Sequence, residues 1–201
     1  MSYLYKYLSI SNLKRFLEII YSHQIYAPSI KELNDVKEGT FVCPVGTPKI
    51  KRDLFVKMIN ETHVCSFSEL KNNGHMFAIY GDSHKGCCVE LVVTSKTWRR
   101  LDIDYTDSKP HVTSVESKSI SEVLKVKSTQ WGDESEVRYM RFYEKHDNSK
   151  KYIHVKIQRI MFGVRVSKKD YGFYKRVING INKKIEVIHL TEDDIDFGFK
   201  K

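Results

Sequence analysis

The sequence predicts a single α+β domain over residues 1–201, with helices concentrated early and sheet dominating the middle and end. Three observations carry this expectation. Apolar residues at helical spacing fall mainly in the first third and in one late segment, whereas alternating or continuous apolar runs of strand length fill the middle and the end. No repeat, low-complexity tract or proline-rich linker divides the chain. With 201 residues and 41% apolar content, the chain is long enough to bury a core.

In order, Leu4 to Leu8 alternates as a first strand. Ser11 then caps a helix whose apolar face is Leu13, Phe16, Leu17 and Ile20. A short extended piece at Ile25 to Ala27 precedes a turn of helix opened by Pro28-Ser29, and Asn34-Asp35 and Glu38-Gly39 mark a loop. After loop composition from Thr40 to Pro48, Ile50 to Ile59 reads as a helix and Thr62 to Phe67 as a strand ended by Ser68-Glu69. The turn Lys71 to Gly74 leads to His75–Tyr80, which suits strand or helix, and Cys87 to Val93 is the clearest buried strand. A helical piece is expected around Trp98, and extended pieces near Val112 and Val123. Val137 to Tyr143 reads as a strand, Glu144 to Lys151 as a hairpin-like turn, and Tyr152 to Ile157 as the returning strand. A further strand from Ile160 to Val166 is interrupted at Gly163. Ser167 with Asp170 starts a helix bearing Tyr171, Tyr174, Ile178 and Ile181, and Ile185 to Leu190 closes the chain as a strand.

No apolar run approaches the roughly 18 residues of a membrane helix, and no secretory pattern follows Met1, so a cytoplasmic protein is expected. Cys43, Cys65, Cys87 and Cys88 lack a disulfide framework and read as reduced thiols. A formal charge of +9, spread along the chain, points to phosphate-bearing partners without naming one.

The densest chemistry is the octet Trp131-Gly132-Asp133-Glu134-Ser135-Glu136-Val137-Arg138. On an extended segment Glu134, Glu136 and Arg138 share a face, and paired carboxylates call for a nearby cation, local or from a substrate. The plain alternative is a solvated charged turn leading into a strand. In Ser66-Phe67-Ser68, alternation turns both hydroxyls to one face, against the alternative of a serine-capped strand end. His63, Cys65, His75, His84, Cys87 and Cys88 lack zinc spacing, so no metal site is expected. Gly81 to Gly86, with His84 and Lys85, is the nearest approach to a phosphate loop and otherwise an ordinary turn.

The order of a Tyr/Lys strand, a Ser-x-Ser strand and a Glu-x-Glu strand start resembles that of ADP-ribosyltransferases of the Arg-Ser-Glu type. The resemblance implies split mixed and antiparallel sheets with flanking N-terminal helices, NAD as cofactor, and Glu136 as the catalytic glutamate that holds the nicotinamide ribose and stabilises oxocarbenium-like charge. It implies that Glu134 orients or activates the acceptor, that Ser66, Ser68 and Tyr80 line the nicotinamide pocket, and that Lys6, Tyr7, His84 and Lys85 contact the pyrophosphate or adenosine. No Arg stands in Tyr3 to Leu8. Lys6 therefore takes that place, or a Tyr such as Tyr5 or Tyr7 plays another part, as in the His-Tyr-Glu branch.

A second resemblance runs almost end to end. Tyr5-Lys6-Tyr7, the Leu13 to Ile20 segment, Asn34-Asp35, Phe67-Ser68-Glu69, Met76 to Tyr80, Ser83 to Gly86, Glu90, the octet and Phe162-Gly163 look like the bacterial domain-of-unknown-function family 2971, with Phe77 and Ile79 where that family usually has Trp and His. It implies a toxin-like or phage-defence enzyme, with an antitoxin or defence-system protein as partner; the charge of +9 makes RNA or DNA the first target to try. The rival class is a non-enzymatic nucleic-acid-binding module, with lysines on phosphates and tyrosines on bases. A third is a nuclease holding magnesium on Asp133, Glu134 and Glu136.

Overall fold

Phe16, Ile19 and Ile20 are the buried stripe of helix α1 (Leu13–Ser22), and their spacing is what makes this segment an amphipathic helix. Its cap is Asn12, whose side-chain oxygen accepts from the Arg15 N–H, one residue after the expected Ser11. The computed structural model describes residues 2–33, 35, 37–142 and 151–197. The α+β chain folds into two compact units built from separate stretches, Met1–Ile25, Phe67–Ser95 and His154–Lys201 in the first, Tyr26–Ser66 and Lys96–Ile153 in the second.

In the first unit, β1 (Leu4–Leu8) lies antiparallel to β4 (Cys87–Val93), which lies antiparallel to β9 (Tyr152–Phe162), and β9 pairs in parallel with β10 (Glu186–His189). The Ser68 end of β3 (Thr62–Ser68) pairs with β1 through Tyr5, and β2 (Gln24–Tyr26) pairs with β9. The first five residues of β4 are all buried, which explains its continuous apolar run. Burial pushes the Cys87 and Cys88 thiols far up, so neither supplies a thiolate. The ambiguous segment after Asn73 is helical: Asn73 caps α3 (Gly74–Ile79), and Met76 and Phe77 bury beside Tyr7, Cys88 and Met161. Helix α5 (Lys168–Ile181) starts where expected, with the Ser167 hydroxyl accepting from the Asp170 N–H.

In the second unit, β8 (Glu136–Phe142) lies between β3 and β5 (Arg99–Asp102), and β6 (Asp104–Tyr105) pairs in parallel with β7 (Val126–Lys127). Helices α2 (Lys49–Glu61) and α4 (Ile120–Leu124) supply Phe55, Ile59, Ile120, Val123 and Leu124 to a core shared with Leu101 and Met140. Val123 is thus helical rather than extended, and buried Trp98 precedes a strand rather than sitting in a helix. The strand from Tyr152 does not return along β8: it pairs with β4, and β8 pairs with β5. Of the hairpin-like turn, residues 144–150 lie outside the described residues.

Candidate functional site

The octet begins as a 3-10 helix, Thr129–Glu134, not as an extended strand. Asp107 anchors its start, accepting from the Ser128 hydroxyl at 2.6 Å, the Thr129 N–H at 3.1 Å and the Thr129 hydroxyl at 2.5 Å. Those hydrogen bonds hold the exposed Asp107 carboxyl below the usual carboxylate range. Ser135 then adopts a left-handed conformation, φ 42°, and β8 starts at Glu136. The reversal at Ser135 brings Glu134 and Glu136 to one cation. Strand alternation accounts only for Glu136 and Arg138.

That cation is Lys127, whose ammonium donates to Glu134 Oε2 and, at 2.6 Å, to Glu136 Oε2. Arg138 donates through Nε to Glu136 Oε1, through Nη1 to the Leu124 carbonyl at 3.0 Å, and through Nη2 to Glu38 Oε1 at 2.7 Å. Lys127 also lies over the Trp131 ring, 5.3 Å from its centroid. The Arg138 side chain is 1% exposed and those of Lys127, Glu38 and Glu136 no more than 7%. Of the charged-turn alternative, the turn leading into a strand holds and the solvation fails, because Glu134, Glu136 and Arg138 are buried.

Burial disfavours the charged form of Glu136, but Arg138 and Lys127 outweigh it and hold the carboxyl well below the ordinary range. Burial likewise opposes the charge on Lys127, yet Glu136 and Glu134 keep it a firm ammonium. Glu38 goes the other way: burial raises its carboxyl, and Arg138 compensates only in part. Three carboxylates against two cations leave one negative charge in excess, and Glu38 holds a proton more readily than Glu136.

The opposite shifts have opposite consequences for stability. Glu136, depressed, contributes stability that is present above the ordinary glutamate range and lost as pH falls toward its folded value. Glu38, raised, contributes stability that is complete below its unfolded value and lost as pH rises through its folded one. Facing Glu38 are Arg138, Lys127, Glu136 and Asp35. Denaturant unfolding at a series of pH values should therefore show wild type losing stability relative to Glu38→Gln as pH rises from acid toward neutral. A difference that does not change with pH would contradict this assignment.

Glu38 and Lys127 also line a cavity of about 370 Å³ in the second unit, together with Lys37, Thr40, Thr106, Asp107, Ser108, Lys109 and Ser128. This size and mixed lining suit a small ligand. Glu134 and Glu136 are not among the lining residues; they stand behind Lys127 and fix its ammonium. Lys127 occupies the place a cation would take between the two glutamates, and among the described residues no three His, Cys, Asp or Glu side chains come together to hold a metal ion.

Of the other expected contacts, Tyr7, Tyr80 and His84 come together around Phe77 in the first unit. Alternation sets Lys6 and Tyr7 on opposite faces of β1, with the Lys6 ammonium 5.8 Å from the Phe67 ring centroid. The Tyr7 hydroxyl donates to the Leu70 carbonyl at 2.8 Å and accepts from the Asn73 N–H at 3.0 Å, so this buried tyrosine clamps a turn. Ser68 is fully buried and accepts from the Leu70 N–H at 3.0 Å, the serine-capped strand end. Ser66 is half-buried in β3, and Tyr80 packs beside Tyr7 and Phe77. Lys85 is exposed, whereas His84 stacks on Phe77 and lines a separate cavity of about 570 Å³ with Arg165, Thr191, Glu192 and Phe197. Burial and Arg165 lower the His84 pKa, so the ring is neutral at pH 7.

Sequence reasoning missed Lys127 and Glu38. The demand of two glutamates for a cation was a signal for Lys127; nothing local marks Glu38, which is 100 residues from Arg138 in sequence. Compared with protein-family models, curated proteins and solved structures, the chain matches none. Among the described residues, no helix is long and apolar enough to cross a membrane.

Proposed function

We propose that the chain is an NAD-consuming transferase of the ADP-ribosyltransferase kind, acting on nucleic acid or protein, with its reacting centre at the cavity of the second unit. The observation that carries this reading is Lys127, held on the cavity wall by the Glu134–Glu136 pair that the motif order singled out. Exposed Lys37 and Lys109, with the hydroxyls of Thr40, Thr106, Ser108 and Ser128, offer the cations and donors that a pyrophosphate needs. In this arrangement Glu134 and Glu136 position Lys127 rather than touch the ribose. The split-sheet fold of those enzymes and the likeness to family 2971 belong to this proposal. The charge of +9 serves capture of a polyanionic target, RNA or DNA first.

The test is thermal unfolding with and without NAD. At a concentration of about 100 times Kd, mass action adds about 2.7 kcal/mol, a rise on the order of 5–10 °C for a chain of this length. Lys37→Ala with Lys109→Ala should lose most of that rise while keeping the stability of the ligand-free protein. A folded wild type with no shift at millimolar NAD sinks the reading. The same two exposed lysines and the charge of +9 then favour the nucleic-acid-binding module, recognised by affinity for RNA or DNA that falls steeply with salt and ignores NAD.

A further inference from the structure

The two glutamates singled out by the motif have their carboxylates committed. Glu136 accepts from Arg138 at Oε1 and from Lys127 and Arg138 at Oε2, Glu134 accepts from Lys127, and neither lines the cavity. Glu38 differs on each point. It lines the cavity, its side chain is 7% exposed, and only Oε1 is engaged, by Arg138 at 2.7 Å and by the Lys127 ammonium at 4.0 Å; among the described residues its buried Oε2 has no hydrogen-bond partner. A buried carboxyl oxygen without a partner carries a desolvation cost that a ligand hydroxyl or water in the cavity would relieve. On the same cluster, the buried Trp131 Nε1–H also has no hydrogen-bond partner among the described residues, so a donor and an acceptor both stand unmet around Lys127.

We infer that Glu38 is the catalytic base of this site, taking the proton of the group that attacks the ribose. The inference rests on the NAD-transferase reading and names the proton acceptor within it. The C1′–N bond to nicotinamide breaks, and its electron pair leaves on neutral nicotinamide. A bond forms between C1′ and the oxygen of water or of an acceptor hydroxyl, and the proton of that oxygen passes to Glu38 Oε2 and then to solvent. Arg138 fixes the carboxyl from the other side through Oε1. Burial, which strengthens the hold of Glu38 on a proton, makes it a better base than an exposed glutamate.

The experiment measures NAD binding by calorimetry and nicotinamide release from NAD in water, for wild type, Glu38→Gln and Glu38→Asp. Glutamine keeps an oxygen for Arg138 and resembles the protonated acid, so Glu38→Gln should fold and still bind NAD. Its nicotinamide release should fall by about 100-fold or more, with loss of the acid limb of the pH–rate profile. Glu38→Asp, which keeps a carboxyl, should be slower than wild type and retain that limb, and it carries the test if the glutamine variant does not fold. Release by Glu38→Gln within threefold of wild type, or an acid limb that persists in it, overturns the inference and leaves the NAD reading standing. A wild type that binds NAD but releases no nicotinamide also overturns it. A wild type that does not bind NAD overturns the parent reading, and that outcome is visible before any variant is made.

Discussion

Arg138→Met is expected to destabilise the protein by about 3–5 kcal/mol, because it removes one partner from a buried ionic network and leaves the others uncompensated. Arg138 is among the largest fully buried side chains, and its guanidinium serves two carboxylates and a backbone carbonyl at once. Methionine fills similar volume but offers no donor. Glu136 would keep only Lys127, Glu38 would lose its hydrogen-bond donor and keep only the Lys127 ammonium at 4.0 Å, and the Leu124 carbonyl would lose the arginine that meets it. The melting temperature should fall on the order of 10 °C for a chain of this length. Adding Glu136→Leu to Arg138→Met should recover part of the loss, since removing both charges costs less than orphaning one. Urea unfolding of the two singles and the double gives the coupling. A loss under about 1 kcal/mol for Arg138→Met would mean that the network contributes far less than its burial implies.

The same network shows where local reasoning stops. Two glutamates one residue apart require a cation, and that demand is met within ten residues, by Lys127 and Arg138. The route to it was not legible. Period two along a strand would have set Glu134 beside Glu136, but Ser135 at φ 42° breaks the strand and Glu134 arrives from a 3-10 turn. Tertiary anchoring by Asp107 overrides the extended propensity of the segment, and Asp107 lies more than 20 residues away from the groups it holds. The composition around Glu38 is that of a loop. Its loop assignment is compatible with the structure, but its chemistry comes from Arg138 and from burial, neither of which a loop composition encodes.

The strands were more legible than their partners. Segments Leu4–Leu8, Cys87–Val93 and Glu136–Phe142 follow the apolar pattern, because each buries side chains on a known face or on both. Pairing is a non-local choice. Tyr152 to Ile157 alternates as a hairpin strand would, yet its register is set by β4, where Val155 faces Val93 and Ile157 faces Leu91. Helix starts were nearly right for a related reason: Ser11 and Asn12 are both good caps, and only the geometry of the turn chooses Asn12. The serines of β3 show the reverse. Their shared parity was legible, but Ser68 bonds back to the Leu70 N–H, so its hydroxyl is consumed locally instead of reaching a ligand.

Gly86→Ala and Gly163→Ala should each cost about 3 kcal/mol, at or beyond the upper end of ordinary overpacking, because the added methyl would collide with backbone that cannot rotate away. A Cβ at Gly86 would stand 2.2 Å from the Leu8 carbonyl oxygen and 2.8 Å from that of Gly81, and one at Gly163 would stand 2.3 Å from the His84 carbonyl oxygen. Neither glycine is needed for a positive φ; what each supplies is the missing side chain. The Gly81–Gly86 turn is held from both sides at these points, through Gly86 N–H to Gly81 O at 2.7 Å, Gly163 N–H to Gly86 O at 2.9 Å and Arg165 N–H to His84 O at 3.1 Å. Within it Asp82, Ser83 and His84 all adopt φ between 51° and 69°, so the turn is strained and depends on this clamp. Gly172→Ala is the matched control. It lies within α5 with nothing near its Cβ position, so alanine there should stabilise by about 0.5–1 kcal/mol. Denaturant melts of the three variants decide the matter, and near-wild-type stability for Gly86→Ala would mean that the turn can move off β1 without loss.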